Sequence, residues 1–405
     1  MNLDNESIIH FLTLRYDPTK KPIKNKLISE DFTPEKFTNV ESMILDIVKK
    51  NMLDEQDVFN HKKIAMSLSG GIDSGLTLMM LRRILPEVKI TCIGMGFGNE
   101  DDEVRRASEI ARKYNCGFKE ITKENILNEL PKLITLVKEP KWNLYNYYTL
   151  EEGKKFSNVF YTGDGGDELF GGYTFRLKKN FTSTTKNMNW ETRVKAYLSC
   201  HERDWVPDQE KMFDSKMKFT WSKIYSLFEP YFNNKLSSFD QVFLADINGK
   251  LLYDWLPTNK KYEEFFKMEL KSIFLSDEMI YMASHIPWQE KYNPKTDMGK
   301  LPLRRILSKE KVFEKELFSK KGFGTDLTKL WDKNAKDIVK QYVNVDSEIV
   351  KNKIINFEWI DKMGGKIING EKIDVRYINK MISLLSLEIW YRLFITHTMK
   401  GMEKI

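Results

Sequence analysis

Apolar positions along the chain alternate between two spacings. Lys62-Lys63-Ile64-Ala65-Met66 is a short apolar run behind a polar lead-in, the pattern of a buried strand, and Leu76, Met79, Met80, Leu81 and Ile84-Leu85 follow at helical spacing. The alternation continues. Val88–Met95 reads as a second strand, and a helix carrying Val104, Ala107, Ile110-Ala111 and Tyr114 follows the acidic turn Asp101-Asp102-Glu103. Phe118–Ile121 is a third strand, 124–138 and 143–156 are helices, and Asn158–Thr162 is a fourth strand. Strands separated by helices predict an α/β fold, a parallel sheet with helices on both faces. Upstream, residues 1–36 hold short apolar pieces, Ile8-Ile9 and Phe11-Leu12-Thr13-Leu14, and a Lys/Pro-rich connector. Thr33-Pro34-Glu35 then has the look of a capped helix start, continued by Phe37, Val40, Met43, Ile44 and Ile47-Val48. From 176 to 405 the pattern is mostly helical. Its late apolar helix, Met381 to Phe394, fits core packing better than a partner site. The expected organisation is therefore 1–36 as connector, 37–175 as an α/β domain, and 176–405 as a helical remainder.

Candidate chemistry lies where the first strand turns into its helix, at Ser69-Gly70-Gly71-Ile72-Asp73-Ser74. Gly70 and Gly71 allow close approach of backbone to an anion, Ser69 and Ser74 offer hydroxyls, and the helix start points unpaired N–H groups the same way. Asp73 would repel a phosphate unless a cation lay between them, so it reads as a Mg²⁺ ligand. No Gly-Lys-Ser/Thr follows the glycines, which excludes a Walker loop, and the spacing of a dinucleotide fold is absent. A second cluster, Gly163-Asp164-Gly165-Gly166-Asp167-Glu168-Leu169-Phe170-Gly171-Gly172-Tyr173, follows the fourth strand. Three carboxylates among glycines ask for a cation. Asp164 and Asp167 have the spacing of neighbours on a tight helical turn, with Asp167 placed to share a metal with Asp73 and Asp164 to face the reacting carbon. Ligands of parallel α/β sheets bind beyond the carboxyl ends of the strands, where both clusters fall.

The first loop resembles that of the N-type ATP pyrophosphatases. Together with GDGGDELFGGY the ordered pair closely resembles the synthetase domain of the asparagine synthetase family, including its β-lactam synthetase and lasso-peptide cyclase relatives. The resemblance implies an adenine nucleotide alpha hydrolase-like (PP-loop) fold. It implies ATP and Mg²⁺ as cofactors, with Asp73 and Asp167 on the metal. Ser69, Gly70, Gly71, Asp73 and Ser74 would form the pyrophosphate loop, and Leu68, Met95 and Gly163 would line the adenosine pocket. An acid at the position of Asp164, commonly Glu in asparagine synthetases proper, would help deprotonate the attacking amine. Met268–Leu275 resembles the family's E-x-R-x-P-F-L segment, with Lys271 for Arg and Ile273 for Pro. Gly299-Lys300-Leu301-Pro302-Leu303-Arg304 resembles G-K-x-x-L-R and makes Lys300 a catalytic candidate. Lys320-Lys321-Gly322-Phe323-Gly324 resembles the K-K-G-F-G loop, whose first lysine, here Lys320, would meet the phosphate charge that grows during adenylation.

The implied reaction is ATP-dependent amide-bond formation: a substrate carboxylate is adenylated, pyrophosphate leaves, and ammonia or an amine displaces AMP. Aspartate with ammonia is the leading pair. Alternatives are cyclisation or amidation of a peptide, metabolite or sugar acid, and tRNA modification. Full asparagine synthetases open with a glutaminase domain whose nucleophilic Cys follows Met. Asn2 stands there, so glutamine hydrolysis by that route is not expected, and ammonia from a separate glutaminase subunit is one possible supply.

Composition adds bounds. In 405 residues, 41% are hydrophobic, 13% aromatic and 30% charged, with net charge +7, mild enough to select no partner class. Cys92, Cys116 and Cys200 are odd in number and widely spaced, and the five histidines are scattered, so neither a disulfide framework nor a zinc site is expected. The N-terminus lacks a basic signal region and no uncharged run approaches a membrane span, which makes a cytoplasmic protein the default reading; a homo-oligomer is compatible with it. Between 174 and 250 basic and aromatic residues interleave. Aromatics packed inward in a helical lid are the expectation there, and nucleic-acid binding the lesser reading.

Overall fold

The computed structural model describes residues 3–35, 37–54, 62–96, 102–123, 125–183, 188–201, 203–310 and 327–405. The N-terminal apolar pieces join into one helix, α1 (Asn5–Leu14), capped by Asp4, whose carboxylate accepts from Ser7 N at 2.7 Å. Helix α2 spans Val40–Asp54. It does not begin at Thr33-Pro34, because Asn39 supplies the cap: its Oδ1 accepts from Ser42 N at 3.1 Å. The segment before it is held open by Glu35 N donating to His285 O at 2.9 Å.

Strand β1 (Lys63–Ser67), helix α3 (Ile72–Ile84), β2 (Lys89–Gly96), α4 (Asp102–Lys113) and β3 (Gly117–Thr122) follow in the expected alternation. After α5 (Leu130–Val137) and α6 (Asn146–Lys154), β4 (Val159–Thr162) returns to the other side of β1. All pairings are parallel, in the order β3-β2-β1-β4-β5. With the right-handed crossovers usual for parallel strands, this order places α3 and α4 on one face and α6 on the other. The central strands are buried on both sides, as at Ile64-Ala65-Met66 and Val159-Phe160-Tyr161, whereas β3 at the edge is mostly exposed, with only Phe118 and Ile121 partly covered. The fifth strand, β5 (Glu269–Ser272), comes from the stretch read as helical, and it pairs with β4 in the register Val159↔Glu269. Only four residues long and half-buried, it carries too little apolar pattern to announce itself.

Beyond β4, α7 (Gly166–Phe170) is a single short turn. Helix α8 (Ser238–Asp246) runs through a π-helical stretch, Ile247–Trp255, into α9 (Leu256–Phe266), with Gly249 out of helical geometry at φ −99°, ψ −118°. Asn248 clamps the N-terminal connector there, accepting from Leu27 N at 2.9 Å and donating to Leu27 O at 2.8 Å. Helices α10 (Leu301–Leu307) and α11 (Val375–Phe394) complete the elements used below. The apolar residues of α11 are core, as expected, and Trp390 Nε1 donates to Lys138 O, closing the end of α5 at 3.1 Å. Aromatics of 174–250 pack on one another, Trp205 edge-to-face with Trp221 and Phe213 stacked on Phe219. No helix among the described residues is long and apolar enough to cross a membrane.

A buried charge network fixes the start of α9. Lys141 Nζ lies 2.8 Å from Glu139 Oε2 and 2.7 Å from Asp254 Oδ1, and donates to Thr258 Oγ1 at 3.2 Å. Lys20 and Lys261 approach the other Glu139 oxygen at 3.1 and 3.2 Å. Burial alone would raise the Glu139 pKa, but Lys141, Lys261 and Lys20 outweigh it and hold it at about 2. Removing one partner of a buried pair leaves an uncompensated charge, so Lys141→Met should cost about 3–5 kcal/mol near neutral pH. Because the Glu139 pKa is depressed, its contribution is present above the ordinary carboxylate range and is lost as pH falls toward 2. Denaturant melts of both proteins from pH 7 to pH 3 should therefore converge on acidification. A gap independent of pH would contradict this assignment.

Candidate active site

The glycine loop leaves β1 after Ser67, and Leu68 N donates to Ile93 O at 2.9 Å, carrying the β1–β2 ladder one residue further. Gly70 adopts φ +67°, a backbone most side chains resist, and an added Cβ would sit 3.2 Å from Glu103 O and Ala107 N of α4. Ser69 N donates to Ser74 Oγ at 3.3 Å and the two hydroxyls lie 3.4 Å apart, so both serines face the same concavity. The first N–H groups of α3 have no partner within the helix and point into it. An anion of phosphate size suits such a place.

Leu68 and Gly163 directly follow β1 and β4, and Met95 lies one residue before the end of β2; these strands are neighbours in the sheet, so the structure brings the three to one edge of it. Leu68 and Met95 are buried. The second cluster closes on the first: a Cβ on Gly163 would stand 3.0 Å from Asp73 Cβ and Ser74 N.

Lys300 joins the two carboxylates. It caps α10 with φ +56°, and its N–H donates to Phe170 O at 2.8 Å, which pins the Gly299-Lys300 turn against α7. Its Nζ is 2.5 Å from Asp73 Oδ2 and 2.6 Å from Asp167 Oδ1. Gly172 makes room for this contact, since a Cβ there would overlap the Asp167 carboxylate and the Lys300 stem. Burial would lower the Lys300 pKa, but Asp167 and then Asp73 overcome it and hold it above its ordinary value. The ammonium stays charged at neutral pH.

The three acids of the second cluster have separate roles. Asp167 lies in the first turn of α7 and pairs with Lys300. Asp164 does not share that helical turn, because Gly165 at φ +95° breaks the backbone between them. Its Oδ2 instead accepts from Thr162 Oγ1 at 2.9 Å and from Asn259 Nδ2 at 2.8 Å. Burial holds the Asp164 pKa above the usual carboxylate range, with the Asp167 charge adding to it against those two donors. Glu168 turns inward to accept from Tyr173 Oη at 2.7 Å, and burial, with help from Asp167, pushes its pKa up to about 8. Asn259 was invisible to sequence reading: it stands 95 positions from its partner and belongs to no motif. Lys320 and the K-K-G-F-G loop lie outside the described residues.

Two carboxylates held on one cation form a donor set that suits Mg²⁺, which binds through one or two carboxylates and leaves its other positions to water and phosphate oxygens. Lys300→Met would leave Asp73 and Asp167 in mutual repulsion. The cost should fall between the surface and buried limits, about 1–3 kcal/mol. Millimolar MgCl₂ should then raise the melting temperature of the variant more than that of the parent, because the ion binds only the folded acid pair. Equal magnesium responses would contradict the shared site.

The asparagine synthetase (glutamine-hydrolyzing) 1 of Bacillus subtilis is 27% identical to this chain over 256 residues, 54% of this chain and 40% of its own length. The matched region thus spans less than half of that relative. Among solved structures, an NH3-dependent NAD synthetase from Campylobacter jejuni aligns over 49% of this chain and 96% of its own, at 14% identity and a TM-score of 0.24. A U34-tRNA thiolase from Methanococcus maripaludis aligns over 58% of this chain and 83% of its own, at 16% identity and a TM-score of 0.25. Both superpositions are too loose to bear on function. The asparagine synthase family model matches residues 43–392, most of the chain, and the chain belongs to that family.

Proposed function

We propose that this protein is an ATP-dependent amide-bond-forming ligase that adenylates a substrate carboxylate, releases pyrophosphate, and passes the acyl group to ammonia or an amine. The observation that carries this reading is the convergence of Asp73 and Asp167 on one ammonium beside a glycine-lined anion nest. Aspartate and ammonia are the first substrate pair to test. The packing of Trp205 against Trp221 and of Phe213 against Phe219 ties up aromatics of 174–250 with one another, which favours a small-molecule substrate over RNA.

In this reading the Ser69 and Ser74 hydroxyls and the N–H groups at the start of α3 hold the β- and γ-phosphates, while Leu68, Met95 and Gly163 border the adenosine. Mg²⁺ held by Asp73 and Asp167 would withdraw charge from the phosphate oxygens and make the α-phosphorus a better electrophile. Lys300, and Lys320 from its loop, offset the charge that builds on those oxygens as the carboxylate attacks. Asp164 takes the proton from the amine as nitrogen attacks the acyl carbon. A carboxylate with a raised pKa is the better proton acceptor.

The test is carboxylate-dependent exchange of labelled pyrophosphate into ATP, run across aspartate and other acids, with and without ammonium. Asp73→Asn should lower exchange at least about a hundredfold. Asp164→Asn should keep exchange and lower amide formation about 10²- to 10⁴-fold. Turnover independent of aspartate would reject the leading substrate, and wild-type exchange with none of the acids would reject the reaction class.

A further inference from the structure

Asp164 is gripped on one oxygen only. Thr162 Oγ1 and Asn259 Nδ2 both donate to Oδ2, at 2.9 and 2.8 Å, and among the described residues no donor reaches Oδ1. The grip leaves little freedom. A hydroxyl carries a single proton, and Thr162 commits it to Oδ2 while its own oxygen accepts from Asp164 N at 3.4 Å. Ser272 Oγ of β5 donates to Asp164 O at 2.6 Å, so the backbone beneath the carboxylate is fixed as well. Two donors on one carboxylate oxygen restrain the rotation of the group and leave its other oxygen without a donor among the described residues.

The reach of Asn259 has its own support. It occupies the first turns of α9, and the residue before it, Thr258, accepts from the buried Lys141 ammonium at 3.2 Å. Lys141 is in turn locked between Glu139 and Asp254. A buried ion network of this kind is a weak source of net stability, and its best-attested use is to specify one register. The register specified here is the one that brings the Asn259 amide to Asp164.

We propose that Asn259 and Thr162 are positioning residues that aim Asp164 Oδ1 at the amine in the acyl-transfer step. The inference rests on the amide-forming reading above and assigns that site two residues it lacked. In the step itself the amine nitrogen bonds to the acyl carbon, the bond from that carbon to the AMP oxygen breaks with its electron pair leaving on AMP, and the nitrogen's proton passes to Oδ1. A carboxylate free to rotate would meet that proton in fewer encounters, and positioning of this sort governs how much a general base contributes.

Asn259→Ala, Thr162→Val and Thr162→Ser separate the possibilities, with aspartate as acyl probe and three readouts: pyrophosphate exchange, ammonia-dependent amide formation, and hydroxamate formation with hydroxylamine. Hydroxylamine is largely unprotonated at neutral pH and is a strong nucleophile, so it depends little on a base. Asn259→Ala and Thr162→Val should lower ammonia-dependent turnover about ten- to a hundredfold. Exchange and hydroxamate formation should fall less than about threefold, and Thr162→Ser should behave as the parent because its hydroxyl remains. Loss of all three activities together, or unchanged ammonia-dependent turnover in both variants, would overturn the proposal. A parent protein that supports no exchange with any of the acids tried above would overturn the underlying reaction instead, and one that exchanges only with another acid moves the three readouts to that acid, so the two failures are distinguishable.

Discussion

Two carboxylates at the carboxyl ends of neighbouring strands, Asp73 and Asp167, stand close enough to share the Lys300 ammonium. Like charges so placed repel strongly in a partly buried setting, and the Lys300 ammonium between them offsets that repulsion. Much of the surrounding architecture serves that contact. The parallel order β2-β1-β4 sets the two acidic turns side by side, Gly172 clears the space, and α10 delivers the lysine from more than a hundred residues downstream. A site that already holds one cation between its acids is suited to exchange it for another whose ligands include phosphate.

The acids themselves were legible in the sequence, because their chemistry is local. A strand, a glycine turn and a helix start make the Ser69–Ser74 loop from consecutive residues, and β4 with its glycine-rich exit makes the other half in the same way. The less visible parts depend on contacts between distant segments. In α1 every residue from Ile8 to Leu14 is buried, so no amphipathic stripe marks it as a helix. Strand β5 is too short to carry a period, and its place is set by pairing with β4. Thr33-Pro34 has the residue types of a helix start, yet Asn39 provides the cap, and local propensity gave way to packing against the 285 region. Asn259 reads as an ordinary polar residue until α9 carries it to Asp164.

A division of labour between the two parts of the chain follows. The first part builds an anion nest and the acid pair on a rigid sheet whose central strands are buried on both faces. The second part supplies the side chains that reach back to those acids: Asn259 and Ser272 to Asp164, Lys300 to Asp73 and Asp167. It holds them with costly devices, among them the buried Lys141 network and a π-helical stretch whose Asn248 clamps the N-terminal connector. Irregular helices and buried charges of this kind are tolerated where they place functional groups.

The most direct measurement is a crystal structure with Mn²⁺ and a non-hydrolysable ATP analogue, read by anomalous scattering. The account predicts a manganese peak coordinated by Asp73 and Asp167 together, with the analogue's terminal phosphates against Ser69–Ser74 and the Lys300 ammonium turned toward them. Metal bound elsewhere, with Lys300 still between the two carboxylates, would contradict it.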